Sequence, residues 1–306
     1  MKTKNLQIAE RIAFIGFGEA AGAFVRGWRT VADVEVTAFD IKTDDPGTRE
    51  GKLNDYRQFS VTGAETAIEA AAGADIIISA VTAEAAADVA LSVVDALRPG
   101  QLYLDINSCA PSRKREAAGV VATGEADYVD VAVMAPVYPT LHQTPLLIGG
   151  PGAQRVEDLL RRLEMKFEYI SDQVGDASTI KMVRSVMIKG IEALVSESIV
   201  AAVQEGIDER VLDSLDVTYP GMDWKKRAGY MLERMVRHGT RRAEEMREVA
   251  KTMDDLGIGG VMSAATAERQ QRVADLNLLD AFDGEPPEDY RVLAQAILDA
   301  RKDQGT

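Results

Sequence analysis

Residues 11–22 read RIAFIGFGEAAG, and their reading decides the fold. The run from Ile12 to Ile15 is short, apolar and closed by glycine, as a strand buried on both faces would be. Gly16, Phe17 and Gly18 then open a helical stretch, giving G-x-G-x-x-A with Ala21 in the third small position. In such a turn the first glycine permits the bend and the second lets a pyrophosphate reach the backbone. The third small residue lets helix and strand pack closely, the amides at the helix start face the phosphates, and Phe17, Glu19 and Ala20 are expected at the cofactor with the glycines. A second strand at 34–39 ends on Asp40, about 20 residues after the glycines, where a carboxylate would hold a ribose 2′-hydroxyl. A carboxylate there repels a 2′-phosphate and argues for NAD. Lys42 close by keeps NADP open, and a solvated strand end is the plain alternative for Asp40.

Working outward, strand signals recur at 75–81, 102–104, 128–133, 146–148 and 167–170, with helices at 64–72, 83–97, 112–124 and 153–164. This alternation predicts an α/β fold: an open, mostly parallel, doubly wound Rossmann-type sheet over residues 1–171. Ligands bind beyond the carboxyl ends of such strands. The loop at Val81 and Thr82 is therefore expected to touch the cofactor. Asn107 and Ser108, after the next strand, would present an amide and a hydroxyl to cofactor or substrate, although a capped turn explains the same residues. Pro139 and Pro145 argue against regular structure after Val133, and His142 reads as a surface-loop histidine.

Residues 175–206, GDASTIKMVRSVMIKGIEALVSESIVAAVQEG, read as one long helix. Asp176, Ser178 and Thr179 suit its start and Gly206 its stop. It is apolar on nearly every side (Ile180, Met182, Val183, Val186, Met187, Ile191, Leu194, Val195 and Ile199) and is expected to be buried. One polar line interrupts it: Lys181, Ser185, Lys189 and Glu192, with Arg184 beside them. Beyond Gly206 only helices are expected, at 208–215, 224–256, 265–278 and 290–301, with a glycine-rich connection at 257–264 and a frayed KDQGT end. Residues 172–306 thus read as an all-α domain. Within 224–256 the apolar stripe is broken by His238, Arg242 and Glu245. A solvated face is one reading; the other has His238 and Arg242 closing a substrate site, with Arg242 paired to a carboxylate.

The chain has 35 Lys+Arg against 49 Asp+Glu, a formal charge of −14. Such a surface repels nucleic acid and anionic membranes, so neither is an expected partner. The single cysteine, Cys109, leaves no internal disulfide and fits a reducing cytoplasm. No signal-peptide core, membrane-length apolar run or zinc-ligand spacing is seen.

Together these segments resemble the β-hydroxyacid dehydrogenases, the relatives of 3-hydroxyisobutyrate and 6-phosphogluconate dehydrogenase, over roughly residues 12–206. The likeness rests on Gly16, Gly18 and Ala21, on Asp105, Asn107, Ser108 and Pro111 as D-x-[SN]-[ST]-x-x-P, and on Gly175 and Lys181 as G-x-x-x-x-x-K-M-V. The C-terminal part is similar to a branch with a short all-helical end domain. The resemblance implies hydride transfer between NAD(P) and a small β-hydroxy acid, with Lys181 as general acid/base and a homodimeric assembly. It also implies substrate contacts from Asn107, Ser108, Met134 and Ser185, with Arg184 or Arg242 holding the acid group. Two departures stand out. Ser185 replaces the family's asparagine, and Met134-Ala135-Pro136 replaces its serine-glycine-glycine turn. They support a further reading, a dinucleotide-binding protein without turnover; reduction of an imine or keto acid with the same lysine is also open.

Overall fold

The computed structural model describes residues 6–7 and 10–303. In chain order the elements are β1 (Leu6–Gln7), β2 (Ile12–Ile15), α1 (Glu19–Trp28), β3 (Ala32–Asp33), β4 (Val36–Phe39), α2 (Pro46–Phe59) and β5 (Thr62–Gly63). There follow α3 (Ala67–Ala72), β6 (Ile76–Ser79), α4 (Ala86–Val93), β7 (Leu102–Asp105), α5 (Pro111–Thr123) and β8 (Asp127–Val133). Next are β9 (Leu146–Gly149), α6 (Ala153–Arg162), β10 (Phe167–Ser171) and α7 (Asp176–Gln204). The chain ends in α8 (Asp208–Thr218), α9 (Trp224–Asp255), α10 (Val261–Ala274) and α11 (Tyr290–Asp303). Of the end expected to fray, Lys302 and Asp303 close α11 and 304–306 lie outside the described residues.

The chain divides into two compact units, one up to Met182 and one from Val183 onward. The division falls inside α7 rather than at Ser171. The reason is local: the first turn of α7 is hydrogen-bonded to Asp130 on β8, so it belongs with the sheet.

The first unit is built on an 8-stranded sheet of order β10-β9-β8-β7-β6-β2-β4-β5. β5 through β8 run parallel, β9 is antiparallel to β8, and β10 is parallel to β9. Alternate residues of each strand point to opposite faces. Ile12, Phe14, Ile76, Ile78, Leu102 and Leu104 pack with α1 and α6, whereas Ala13, Ile15, Ile77, Tyr103 and Tyr128 pack with α3, α4 and α5. Both faces are therefore covered, as the doubly wound reading requires. The chain reverses direction across the sheet between β2 and β6, which sets the ligand crevice of such folds at their carboxyl ends.

Helix α2 has no counterpart in the sequence reading. It is polar almost all round, burying only Lys52 and Tyr56, so no apolar stripe announces it. Asp45 caps it by accepting from Gly47 N at 2.9 Å, and Pro46 occupies its first turn. His142 is also corrected: it is buried, in a 3-10 turn packed against Gly27 of α1, and not on a surface loop.

The second unit is all-helical. Here α7 departs from expectation. Met182, Val195 and Ile199 are buried, but Ile180, Val183, Met187 and Leu194 are exposed, Met187 and Leu194 by 63% and 60%. The polar line lies inside instead, with Lys189 and Glu192 only 7% and 3% exposed. Helix α9 spans 32 residues and is kinked at His238, whose φ of −133° leaves the helical region.

Candidate functional site

In the first unit the site begins at the turn after β2. Gly16 has φ +87°, and a Cβ there would lie 2.4 Å from the Ala80 carbonyl oxygen, so only glycine fits. Gly18 differs. A Cβ on it would meet nothing within 4 Å, and no side chain caps the start of α1. The fold itself does not demand glycine at 18, and the open space at the helix start is where the backbone could meet a pyrophosphate. The residues present thus suit a dinucleotide pyrophosphate, with Glu19, Ala20 and the fully buried Ala21 in the first turn of α1.

Asp40 is turned toward this loop. Its Oδ2 accepts from Phe17 N at 2.8 Å and its Oδ1 from Lys42 N at 3.0 Å. Lys52, which the sequence reading missed because α2 was unseen, donates to the Phe17 carbonyl at 2.7 Å and stands 3.9 Å from Asp40 Oδ2. The Phe17 ring packs edge-on against Phe14, Tyr56 and Phe59. The Phe17 amide is thus committed to Asp40.

The neighbouring loops are tied to one another. Val81 N donates to Asn107 Oδ1 at 2.6 Å, and Asn107 Nδ2 donates to Ser79 Oγ at 2.9 Å. Thr82 is exposed beside Val81. Ser108 follows with a buried hydroxyl that has no hydrogen-bond partner among the described residues. An orphaned buried hydroxyl is costly, and a bound ligand would relieve it.

Beneath Asn107 lies a fully buried ionic cluster. Asp105 Oδ1 accepts from Asn107 N at 2.8 Å and from Lys114 Nζ at 2.9 Å, and its Oδ2 accepts from the Tyr128 hydroxyl at 2.6 Å. Lys114 also lies 3.5 Å from Asp130 Oδ1. Asp130 Oδ2 accepts from Gly175 N at 3.1 Å and Ser178 N at 3.0 Å, and its Oδ1 accepts from the Ser178 hydroxyl. Burial alone would lower the Lys114 pKa, but Asp105, Cys109 and Asp130 outweigh it and hold the ammonium charged. Burial and then the Asp105 charge keep Tyr128 protonated. Gly175 takes φ +102°, which aims its amide at Asp130. Lys181, half-buried, sits one turn beyond Ser178 on α7. Met134, after β8, packs with Ala132, Leu147 and Ala177. A chain of polar contacts therefore runs from Asp105 under the Asn107 loop to the start of the Lys181 helix.

Arg184, Ser185, His238 and Arg242 belong to the second unit. Arg184 is exposed and Ser185 buried. Arg242 Nε donates to Glu192 Oε2 at 2.9 Å, and a second guanidinium nitrogen donates to Glu192 Oε1. Gln270 Nε2 reaches the same carboxylate at 3.2 Å. Lys189 Nζ lies 2.8 Å from Glu245 Oε2 and 3.5 Å from Ser185 Oγ. Arg242 thus has a carboxylate partner, Glu192, and Ser185 is reached by Lys189. Burial, followed by Arg234, Arg241, Arg242 and Arg237, pushes the His238 pKa down to about 4. Among the described residues no group of three or more His, Cys, Asp or Glu could hold a metal ion, and no helix is long and apolar enough to cross a membrane.

Comparison with known proteins adds the following. Residues 11–170 match the model of the NAD binding domain of 6-phosphogluconate dehydrogenase, and residues 202–273 match a domain of unknown function, DUF1932. A conserved hypothetical protein from Sinorhizobium meliloti is 36% identical, with 96% of this chain and 97% of that one covered and a TM-score of 0.75. Two structures share the fold at lower identity. The 3-hydroxyisobutyrate dehydrogenase of Mycobacterium tuberculosis is 17% identical (95% and 99% covered, TM-score 0.66). An imine reductase from Myxococcus stipitatus, in complex with NADP+, is 18% identical (94% and 99% covered, TM-score 0.52).

Proposed function

Because the chain belongs to the family defined by the NAD binding domain of 6-phosphogluconate dehydrogenase, we propose that it moves a hydride between a nicotinamide dinucleotide and a small β-hydroxy acid, with Lys181 as general acid/base. The observation that carries this reading is the ligand-ready set after β2, β6 and β7: the open side of Gly18 and the orphaned hydroxyl of Ser108. The nicotinamide supplies the hydride acceptor or donor. In the oxidation direction Lys181 Nζ takes the hydroxyl proton as the carbonyl forms, and it returns that proton in reduction. Asn107, Ser108, Met134 and Ser185 shape and orient the substrate. Arg184 or Arg242 holds the acid group, the latter while bonded to Glu192. The Asp40 carboxylate favours NAD over NADP. We assign dinucleotide binding to the first unit and dimerisation to the second, in a cytoplasmic enzyme.

Lys181→Ala, assayed with a panel of β-hydroxy acids and both dinucleotides, tests the mechanism. A loss of about 10²–10⁴-fold in kcat with dinucleotide affinity intact is expected. Retention of most of the kcat would remove Lys181 from the reaction. A second reading, imine or keto-acid reduction with the same lysine, is separated by amine and keto-acid arms of the same panel. Tight dinucleotide binding with no turnover on any arm would instead leave a binding protein.

The exposed line Ile180, Val183, Met187, Leu194 supports a homodimer, since its spacing repeats as in paired helices. Met187, Ile191 and Leu194 form one wall of an apolar groove of about 420 Å³ whose other wall includes Leu215, Tyr219 and Met222. A second copy of α7 suits it, because one uncharged seam can serve both partners of a two-fold pair. Leu194→Glu should convert a sedimenting dimer to monomer; a wild-type monomer at all concentrations would end this assignment.

A further inference from the structure

Within PSRKREAA, Lys114 has the neighbours of a solvated charge, yet on α5 it is fully buried. It donates to the Asp105 carbonyl at 2.6 Å as well as to the Asp105 carboxylate, and it reaches toward Asp130. Those two carboxylates do different work. Asp105 holds the amide of Asn107, and Asp130 holds the amides of Gly175 and Ser178. We propose that Lys114 is a positioning residue for the candidate site: its ammonium joins the Asn107–Ser108 loop to the start of the Lys181 helix through Asp105 and Asp130. The proposal rests on the reading of Lys181 above and deepens it.

The physical argument concerns what remains without the ammonium. Two buried carboxylates would then share one pocket, and one of them would take up a proton. A protonated carboxyl spends one oxygen as a donor and has less capacity to accept. Asp130 would then hold the amides of Gly175 and Ser178 less firmly, or Asp105 would release Asn107. In either case the loop and the helix start lose their common register. The dinucleotide turn has supports of its own in Asp40 and Lys52, and meets this cluster through the bond of Val81 N to Asn107.

Lys114→Met tests this, with three measurements on the full chain. The first is NADH affinity, expected to stay within about twofold, because the turn at Gly16 keeps its own supports. The second is the pH dependence of Lys181 modification by an amine reagent, read by mass spectrometry with exposed Lys226 as internal reference. Its midpoint should move by about half a pH unit or more, since the surroundings of the amine change. The third is turnover on any substrate found in the panel, expected to fall at least about tenfold in kcat with little change in KM. A purely structural Lys114 would lower the melting temperature and leave the Lys181 profile where it was, and that result overturns the proposal. If Lys114→Met does not fold, Asp130→Asn carries the test, with the same shift expected and an unmoved profile again decisive against it. Failure of both to fold would assign the cluster to stability alone and equally overturn the proposal. The modification profile needs no substrate, so a Lys181 that proves dispensable for turnover would sink the catalytic reading without obscuring this one.

Discussion

Strand β2 and helix α7 are both rich in apolar residues, and they treat charge in opposite ways. β2 contributes Ile12, Ala13, Phe14 and Ile15, all essentially sealed from water between helices on the two faces of the sheet. α7 buries Ser185, Lys189 and Glu192 and leaves Met187 and Leu194 in solvent. A central strand of a doubly wound sheet has no outside, so an apolar run there has one possible fate. A helix has two sides, and its partners decide which is inside. For α7 the partners on α9 and α10 are Arg242, Glu245 and Gln270, and they draw the polar line inward. Burying ions is costly unless they are paired, and a paired set gives little net stability but specifies which surfaces meet.

Breaking one of those pairs should give the largest effect. Arg242→Met removes the cation that neutralises the Glu192 carboxylate, with Gln270 still on it, and should cost about 3–5 kcal/mol in chemical denaturation. Glu192→Met/Arg242→Met together should recover most of that loss. If the double variant is as unstable as the single one, the pair is not what turns the polar line inward.

The sheet side of the comparison is sharpened by two glycines. Gly16→Ala places a Cβ against the Ala80 carbonyl at a left-handed φ, and a loss of about 2–3 kcal/mol is expected from strain and clash. Gly18→Ala meets nothing within 4 Å and should leave stability within about 1 kcal/mol while weakening NADH binding at least tenfold. Equal effects of the two on stability would show that Gly18 serves the fold and not a ligand.

This contrast also explains what could be read from the chain. The β2 turn, the strand and helix alternation and the helical second half were legible because period and turn chemistry determine them. Asp40 was picked out as a carboxylate for a ribose hydroxyl, and its bonds to Phe17 and Lys42 were not foreseen. α2 was silent because a helix with only Lys52 and Tyr56 inside has no stripe. Lys114 was silent because the two aspartates that neutralise it come from β7 and β8, distant in sequence. For α7, period shows which residues share a line and gives no sign of which line faces in. His142 was misplaced for a related reason: only tertiary packing against Gly27 buries it.

The smallest effect concerns His238, at the kink where α9 departs from regular helix. Its folded-state pKa, about 4, lies below the ordinary histidine value of 6.5, through burial first and the surrounding arginines next. The unfolded chain therefore binds this proton more readily, and folding stability must fall as pH drops from 6.5 toward 4. Above that window the contribution is complete, because the imidazole is neutral in both states. Carboxylates titrate at the lower end of the window as well, so the informative quantity is a difference. Denaturation midpoints at pH 7 and pH 5 should separate less in His238→Gln than in the wild type. The same separation in both proteins would mean that the imidazole is hydrated and takes up its proton without cost. The arginine-rich middle of α9 would then behave as a wet surface, unlike the ion-paired interior that Glu192 and Arg242 form one turn further along.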